Sequence, residues 1–402
     1  MIERGVSIIK KKKPFLRRIF VLAGIVIFGL ATVITFSANN HRSGPLALVN
    51  GMLIDGTGAD PIPRATLIVK NGKITAAGKT GEVVIPKDAT IIDISNKTVL
   101  PGFINAHVHG AFNPARLAEW AQSGVTSVRD MSANGKTIAE IKKLRNQLDR
   151  PDCARLFSAG LMIGVLGGYG CLYVTSSEDA RAKVLKLIDA GVDAIKVSLE
   201  DGYAGRSGLP KLSSEELRVI IETAHERDKR VTIHITQAQY LEQAVTAGVD
   251  EMAHISWDPI PIDVLKRMVR ANIYMVPTFT IFRYYNAPVD QCILNLHNFI
   301  QAGGRVALGN DTGGLEGYEP GMPMFEIECM QKAGMTPMEI IVSATRNGAY
   351  VCDQAENLGT LEKGKIADLF VVDGNPLQDM NVLRKVTLVL KEGKIIRDRI
   401  NK

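Results

Sequence analysis

Histidine is scarce in this sequence: seven occur in 402 residues, so any convergence among them carries information. Net charge is nearly absent outside one short stretch. Residues 1–18 hold Arg4, Lys10, Lys11, Lys12, Lys13, Arg17 and Arg18 against Glu3 alone, which accounts for the whole formal charge of +6. The remainder sums to zero, so the basic balance gives no support to nucleic-acid binding and reads as a membrane-targeting signature. No glycine-rich phosphate loop follows the first strand of the αβ region, which argues against a doubly wound nucleotide-binding sheet. The five cysteines (Cys153, Cys171, Cys292, Cys329, Cys352) are scattered with no CxxC pair. Their odd number leaves at least one free thiol, and buried free thiols are expected for most.

What is present begins with an uncharged run over residues 19–36 (IFVLAGIVIFGLATVITF), nearly long enough to span a bilayer. The basic cluster before it is expected to stay cytoplasmic, placing the rest of the chain outside. The run is longer than a usual signal-peptide core, which favours a retained single-pass anchor. Thr35-Phe36-Ser37 nevertheless offers small residues suited to cleavage and export. Residues 1–37 are read as this basic and signal/anchor segment, and 38–46 as a linker. With 46% hydrophobic and 22% charged residues, the rest reads as globular.

Residues 47–100 are strand-like, and Asn71-Gly72 marks a hairpin between alternating runs. VKNGKITAAG near the start resembles VTLVLKEGKIIRD near the end. Residues 47–100 and 351–398 are therefore expected to build one small β-sandwich module. Between them, 101–350 alternates strands, expected at 103–107, 125–129, 155–160, 194–197, 231–235, 251–254, 273–277 and 306–309, with capped helices. Ser213-x-x-Glu216 and Thr336-Pro337-x-Glu339 open two of the helices. Eight such units over about 250 residues predict an α/β fold of (β/α)8, TIM-barrel type.

Four histidines fall at strand ends: His107 and His109 after the first, His234 in the fifth and His254 after the sixth. Residues i and i+2 of a strand share a side, so His107 and His109 can meet one metal ion together. Lys196 lies in the apolar fourth strand, where a charged amine is costly unless paired or neutralised. Asp311 ends the eighth. Barrel active sites sit at these C-terminal ends. Imidazoles and carboxylates suit two zinc-like divalent ions, and a deprotonated Lys196 that adds carbon dioxide would bridge them as a carbamate. Two such ions would activate a bridging water, with Asp311 moving its proton to the leaving amine. HxH alone is a weak signal, and Lys196 alone could be an ion-paired lysine. The joint placement carries the argument. His41, His225 and His297 read as surface or packing residues.

Residues 47–398 resemble the amidohydrolase superfamily, and within it the branch of imidazolonepropionase and Xaa-Pro dipeptidases. PGFINAHVHG, GVTSVRDM, AIKVSLEDG, VTIHI, MAHIS, GNDTGG and LGTLEKGKIADLFVVDGNPL carry the resemblance. It implies that His107, His109 and Asp311 hold one metal, that His234 and His254 hold the other, and that N6-carboxylated Lys196 bridges. Where the branch often has GGHG, this chain has Gly167-Gly168-Tyr169-Gly170. Tyr169 can donate a hydrogen bond to a carbonyl but is no proton shuttle near neutrality.

The function so implied is hydrolysis of an amide C–N bond, in dipeptides or N-acyl amino acids. Tyr203, Arg206, Tyr240 and Arg283 are candidates for holding a substrate carboxylate. A cyclic amide or lactone hydrolase is the alternative within enzymes, and a non-catalytic extracytoplasmic binding barrel the alternative outside them. A one-metal deaminase has no need of Lys196. A homo-oligomer is compatible with the sequence.

Overall fold

The computed structural model describes residues 44–202, 206–313 and 315–400. The expected signal/anchor segment, most of the linker, His41 and Tyr203 lie outside them. No helix among the described residues is long and apolar enough to cross a membrane.

The chain enters through β1 (Leu46–Leu53), β2 (Ile62–Lys70), β3 (Lys73–Lys79), β4 (Thr90–Asp93) and β5 (Lys97–Pro101). Asn71-Gly72 turns β2 into β3, both residues at positive φ as a tight hairpin requires. The barrel strands follow: β6 (Phe103–Val108), β7 (Val125–Asp130), β8 (Arg155–Ser158), β9 (Ile163–Val165), β10 (Leu172–Val174), β11 (Ile195–Ser198), β12 (Val231–His234), β13 (Glu251–Ala253), β14 (Tyr274–Val276) and β15 (Arg305–Val306). The chain ends in β16 (Leu369–Asp373), β17 (Val386–Lys391) and β18 (Lys394–Asp398).

The barrel ladders are parallel. β6, β7 and β8 pair in order, and β9 continues the third strand by pairing with β11. β11 through β15 then pair in sequence order. The ring closes where Ala106 N donates to Leu308 O at 2.8 Å and Val108 bridges Thr312. Strands such as VTSVRD, IKVS and VTIH are buried along their whole length, as a parallel sheet covered by helices requires. Around them run α1 (Pro114–Gln122), α2 (Ile138–Leu148), α3 (Ser177–Asp189), α4 (Ser214–His225), α5 (Leu241–Ala247), α6 (Ile262–Arg270), α7 (Phe279–Tyr285), α8 (Val289–Gln301), α9 (Met324–Lys332) and α10 (Pro337–Val342). Capping boxes at Thr137/Glu140, Ser213/Glu216 and Thr336/Glu339 satisfy the first amides of α2, α4 and α10. Gly248 ends α5 in the left-handed region at φ 88°, returning the chain directly into β13.

Strands from both chain ends share one sheet, ordered β18-β17-β16-β5-β1-β2-β3, with β4 against β1. The expected sandwich is thus one continuous hydrogen-bonded sheet rather than two. It encloses its own core, including Leu48, Leu67, Val99, Leu369 and Leu388. On its other side Phe370 meets Phe103 edge-on at 5.0 Å and joins the barrel core around Leu117 and Trp120.

Candidate active site

The site lies at the C-terminal ends of the barrel strands. His107 comes from β6 and His109 from just past it, but simple alternation does not place them. Between Asn105 and Val108, β6 advances three residues while β7 advances two, from Val128 to Asp130. This bulge lets Ala106 pack inward with Ala253, Val276 and Ala307 while the next residue, His107, still reaches the mouth. Asp311 faces both histidines: its carboxylate is 2.9 Å from His109 Nε2 and 3.7 Å from His107 Nε2. Its backbone sits at φ 54°, and its amide donates to His107 O at 2.8 Å. The buried Asn105–Asn310 hydrogen bond, 2.7 Å, ties the two strands just beneath. His107, His109 and Asp311 form a group able to hold a metal ion.

The other two imidazoles adjoin it. His254 Nε2 is 2.8 Å from His234 Nδ1, and His254 Nδ1 is 3.7 Å from Asp311. The His107 and His254 rings are 4.9 Å apart. His254 Nδ1 also bonds Thr278 Oγ1, in the loop after β14, and His109 Nδ1 faces Ser132 O at 3.3 Å. Burial is the main force on these rings. With help from the Lys196 charge it pulls His107, His234 and His254 well below the usual histidine range. At His109 burial also acts downward, but Asp311 and Asp130 outweigh it and the net shift is upward.

Lys196 is 2% exposed, and its Nζ has no hydrogen-bond partner among the described residues. Burial and, less strongly, the Arg129 guanidinium pull it down against Asp311 and Glu251, to about 7. Deeper in the barrel, Arg129 binds Glu251 at 2.5 Å and gives its other protons to Ala106 O and Val351 O. Thr232 Oγ1 completes the Glu251 shell at 3.1 Å.

Tyr169 sits in the loop between β9 and β10, its ring centroid 4.5 Å from that of His234. The remaining candidates are engaged elsewhere. The Tyr240 hydroxyl donates to Asp201. Exposed Arg206 reaches Gly167 O at 3.5 Å, in the same loop as Tyr169. Arg283 lies over the Phe325 ring, 4.8 Å from its centroid. His225 pairs with Asp250 at 2.8 Å, and His297 Nδ1 faces Ala333 O at 3.0 Å. All five cysteines are free, and only Cys171 is not fully buried.

Two polar residues at the site escaped the sequence reading. Glu200 accepts from Thr236 N, Thr236 Oγ1 and Gln237 Nε2 and lies 3.8 Å from His234 Nε2. Its position four residues beyond Lys196, at the end of the same strand, was a usable signal. Thr278 offered none, because the strand before it is apolar and its contact with His254 spans 24 residues.

Among curated proteins, the chain is 27% identical over 427 residues to ochratoxinase of Aspergillus niger, covering 86% of this chain and 85% of that one. It is 24% identical to imidazolonepropionase of Clostridium tetani, covering 92% and 98%. Among solved structures, a Xaa-Pro dipeptidase with bound methionine superposes with a TM-score of 0.78 at 24% identity, covering 88% of this chain and 99% of that one. The ochratoxinase of A. niger superposes at 0.76, with 24% identity, 88% of this chain and 96% of that one. These superpositions share the barrel architecture described above. The model of the Amidohydrolase family matches residues 98–396, nearly three quarters of the sequence, and the chain belongs to that family.

Proposed function

We propose that this protein hydrolyses an amide C–N bond in dipeptides or N-acyl amino acids, using two zinc-like ions. One observation carries the reading: four imidazoles, Asp311 and a buried amine without a hydrogen-bond partner among the described residues meet at the barrel mouth. The donor chemistry fits the ions. Nitrogen and carboxylate donors are standard zinc ligands, and His107, His109 and Asp311 already lie close enough to share one ion. His234 and His254 would hold the second. Lys196 fits the bridge: a neutral amine takes up carbon dioxide, releases a proton, and becomes an anion with two oxygens. When bound, two such ions supply Lewis acidity to a shared water and to the scissile carbonyl.

The chain's own residues do the rest. Asp311 accepts the proton of the attacking water and delivers it to the departing amine. The Tyr169 hydroxyl, beside His234, donates a hydrogen bond to the substrate carbonyl oxygen. Thr278 and the Ser132 carbonyl orient the His254 and His109 rings. Similarity to ochratoxinase, imidazolonepropionase and a Xaa-Pro dipeptidase supports the reaction class.

The test pairs metal content with turnover on dipeptides, N-acyl amino acids, cyclic amides and lactones, for wild type and Lys196→Ala. Wild type should hold about two ions and cleave linear amides. Lys196→Ala should lose at least one ion and most turnover, because two dications would face each other without an anion between them. A variant with both ions and near-normal turnover overturns the bridge, and a wild type inert on the whole panel overturns the activity. Export belongs to the same reading: a reporter fused after residue 402 should work only outside the cytoplasm. Cytoplasmic reporter activity contradicts it.

A further inference from the structure

One fully buried carboxylate has no part in the chemistry above. Glu326 of α9 is 0% exposed. Buried acids elsewhere are matched to a cation: Glu251 to Arg129 and Asp368 to Arg155. Among the described residues no cation pairs with Glu326. Its partners belong instead to the start of α7. Oε1 accepts from Phe279 N at 3.0 Å, and Oε2 accepts from Thr280 N and Thr280 Oγ1, both at 2.9 Å. Burial pushes the carboxyl up to about 8 even against the pull of these donors. For stability alone, an unpaired acid in such a place is a poor choice.

The neighbour of these bonds is Thr278. A threonine just before a helix ordinarily turns its hydroxyl onto the free amides of the first turn. Thr278 stands at that position before α7 and makes no such bond. Its backbone lies in the left-handed region, at φ 58° and ψ 41°, an unfavourable place for a β-branched residue. Its hydroxyl is turned to His254 Nδ1 instead. The first turn of α7 is left without its usual cap, and Glu326 supplies one from another helix. Its bonds to the amides of 279 and 280 also pin the chain immediately after the strained residue.

A histidine that ligates through one ring nitrogen is oriented by the bond its other nitrogen makes. With Nδ1 held by Thr278, His254 directs Nε2 at His234 Nδ1, 2.8 Å away. Without that hold the ring has a competing partner, since Asp311 lies 3.7 Å from the same Nδ1. The direction of His254 therefore depends on where the Thr278 hydroxyl points, and that in turn depends on what else caps α7.

We propose that Glu326 is a positioning residue for the half of the metal group built from His234 and His254: by capping α7 in place of Thr278 it frees the threonine hydroxyl to hold the His254 ring, and so raises the affinity for one of the two ions. The inference rests on the two-ion reading above and extends it to a residue that bonds to none of the expected ligands.

The experiment uses full-length protein with zinc and a competing chelator, for wild type, Glu326→Gln, Thr278→Val and the double variant. Glutamine keeps the shape of the side chain but replaces one accepting oxygen with an amide nitrogen that only donates. Each single variant should weaken one ion by about 10–100-fold and leave the affinity for the other unchanged. The double variant should be no weaker than the weaker single variant, because both act through one hydroxyl. Glu326→Asp, whose reach is shorter, takes the same test should Glu326→Gln fail to fold. A second readout needs no metal. In chelator-treated protein carrying isotope-labelled histidine, nitrogen NMR should show His254 protonated on Nδ1 in wild type and on a mixture of Nδ1 and Nε2 in the variants, with His254→Asn identifying the signal. Unchanged affinities and an unchanged His254 ring in the Glu326 variant, even with lowered stability, overturn the proposal and leave Glu326 as a helix cap only. Losses that add in the double variant overturn the route through Thr278. Wild type that holds fewer than two ions, with the His254 ring altered in both single variants, supports the positioning role and overturns the two-ion reading instead.

Discussion

The two halves of the metal group are built differently. Around His107 and His109 the protein supplies its own anion: Asp311 touches both rings and sits in a strained backbone conformation held by the neighbouring strand. Around His234 and His254 the imidazoles face each other at 2.8 Å, His254 also bonds Thr278, and the nearby Glu200 is occupied by Thr236 and Gln237. The first half is complete as folded. The second has Glu200 at 3.8 Å from His234 and Asp311 at 3.7 Å from His254, and the buried amine of Lys196, without a hydrogen-bond partner among the described residues, acts on the rings of both halves. A carbamate at Lys196, as proposed above, would supply one anion to both pairs.

The contrast can be broken most severely at Asp311, whose carboxylate faces imidazoles of both halves. Asp311→Ala should lower turnover by about 10²–10⁴, the usual worth of a positioned general base, and should reduce metal content as well. Elemental analysis beside steady-state rates checks it, and near-normal rates would remove Asp311 from the chemistry. A smaller effect is expected beneath the site. Arg129→Met removes the guanidinium from the buried Glu251, costing about 3–5 kcal/mol in denaturant unfolding. Lys97→Met, which breaks the outward-lying pair with Asp373, should cost about 0–1 kcal/mol. Similar costs for the two would show that the barrel interior is wetter than the geometry implies. The smallest effect sharpens the comparison. Thr278→Val removes the hydroxyl that orients His254 and should weaken one ion by about 10–100-fold in chelator competition. His109 has no equivalent substitution, because its partner is the Ser132 carbonyl. Equal weakening of both ions would mean that the halves do not differ as described.

Much of this was legible in the sequence. The eight barrel strands fall within a few residues of their expected places because most are short buried runs alternating with amphipathic helices, some of them capped. The expected metal ligands lie together because strand ends in a closed parallel barrel converge, whichever strand they come from. Other features left no local trace. The β6 bulge that turns His107 inward is set by the register with β7, which no single strand encodes. β9 and β10 are three residues each, in a glycine-rich stretch that reads as a loop, yet their pairing presents Tyr169 to His234.

The composite sheet also sets an order of events during synthesis. β5 ends at Pro101, and its partner β16 begins at Leu369, so 267 residues lie between them. At ordinary elongation rates of about 5–20 residues per second, β5 waits roughly 10–50 s for that neighbour. The whole barrel emerges in between. Strands β1–β5 are therefore made well before they are sealed, and until residues 369–373 have been made the β5 edge remains open to any other strand that reaches it.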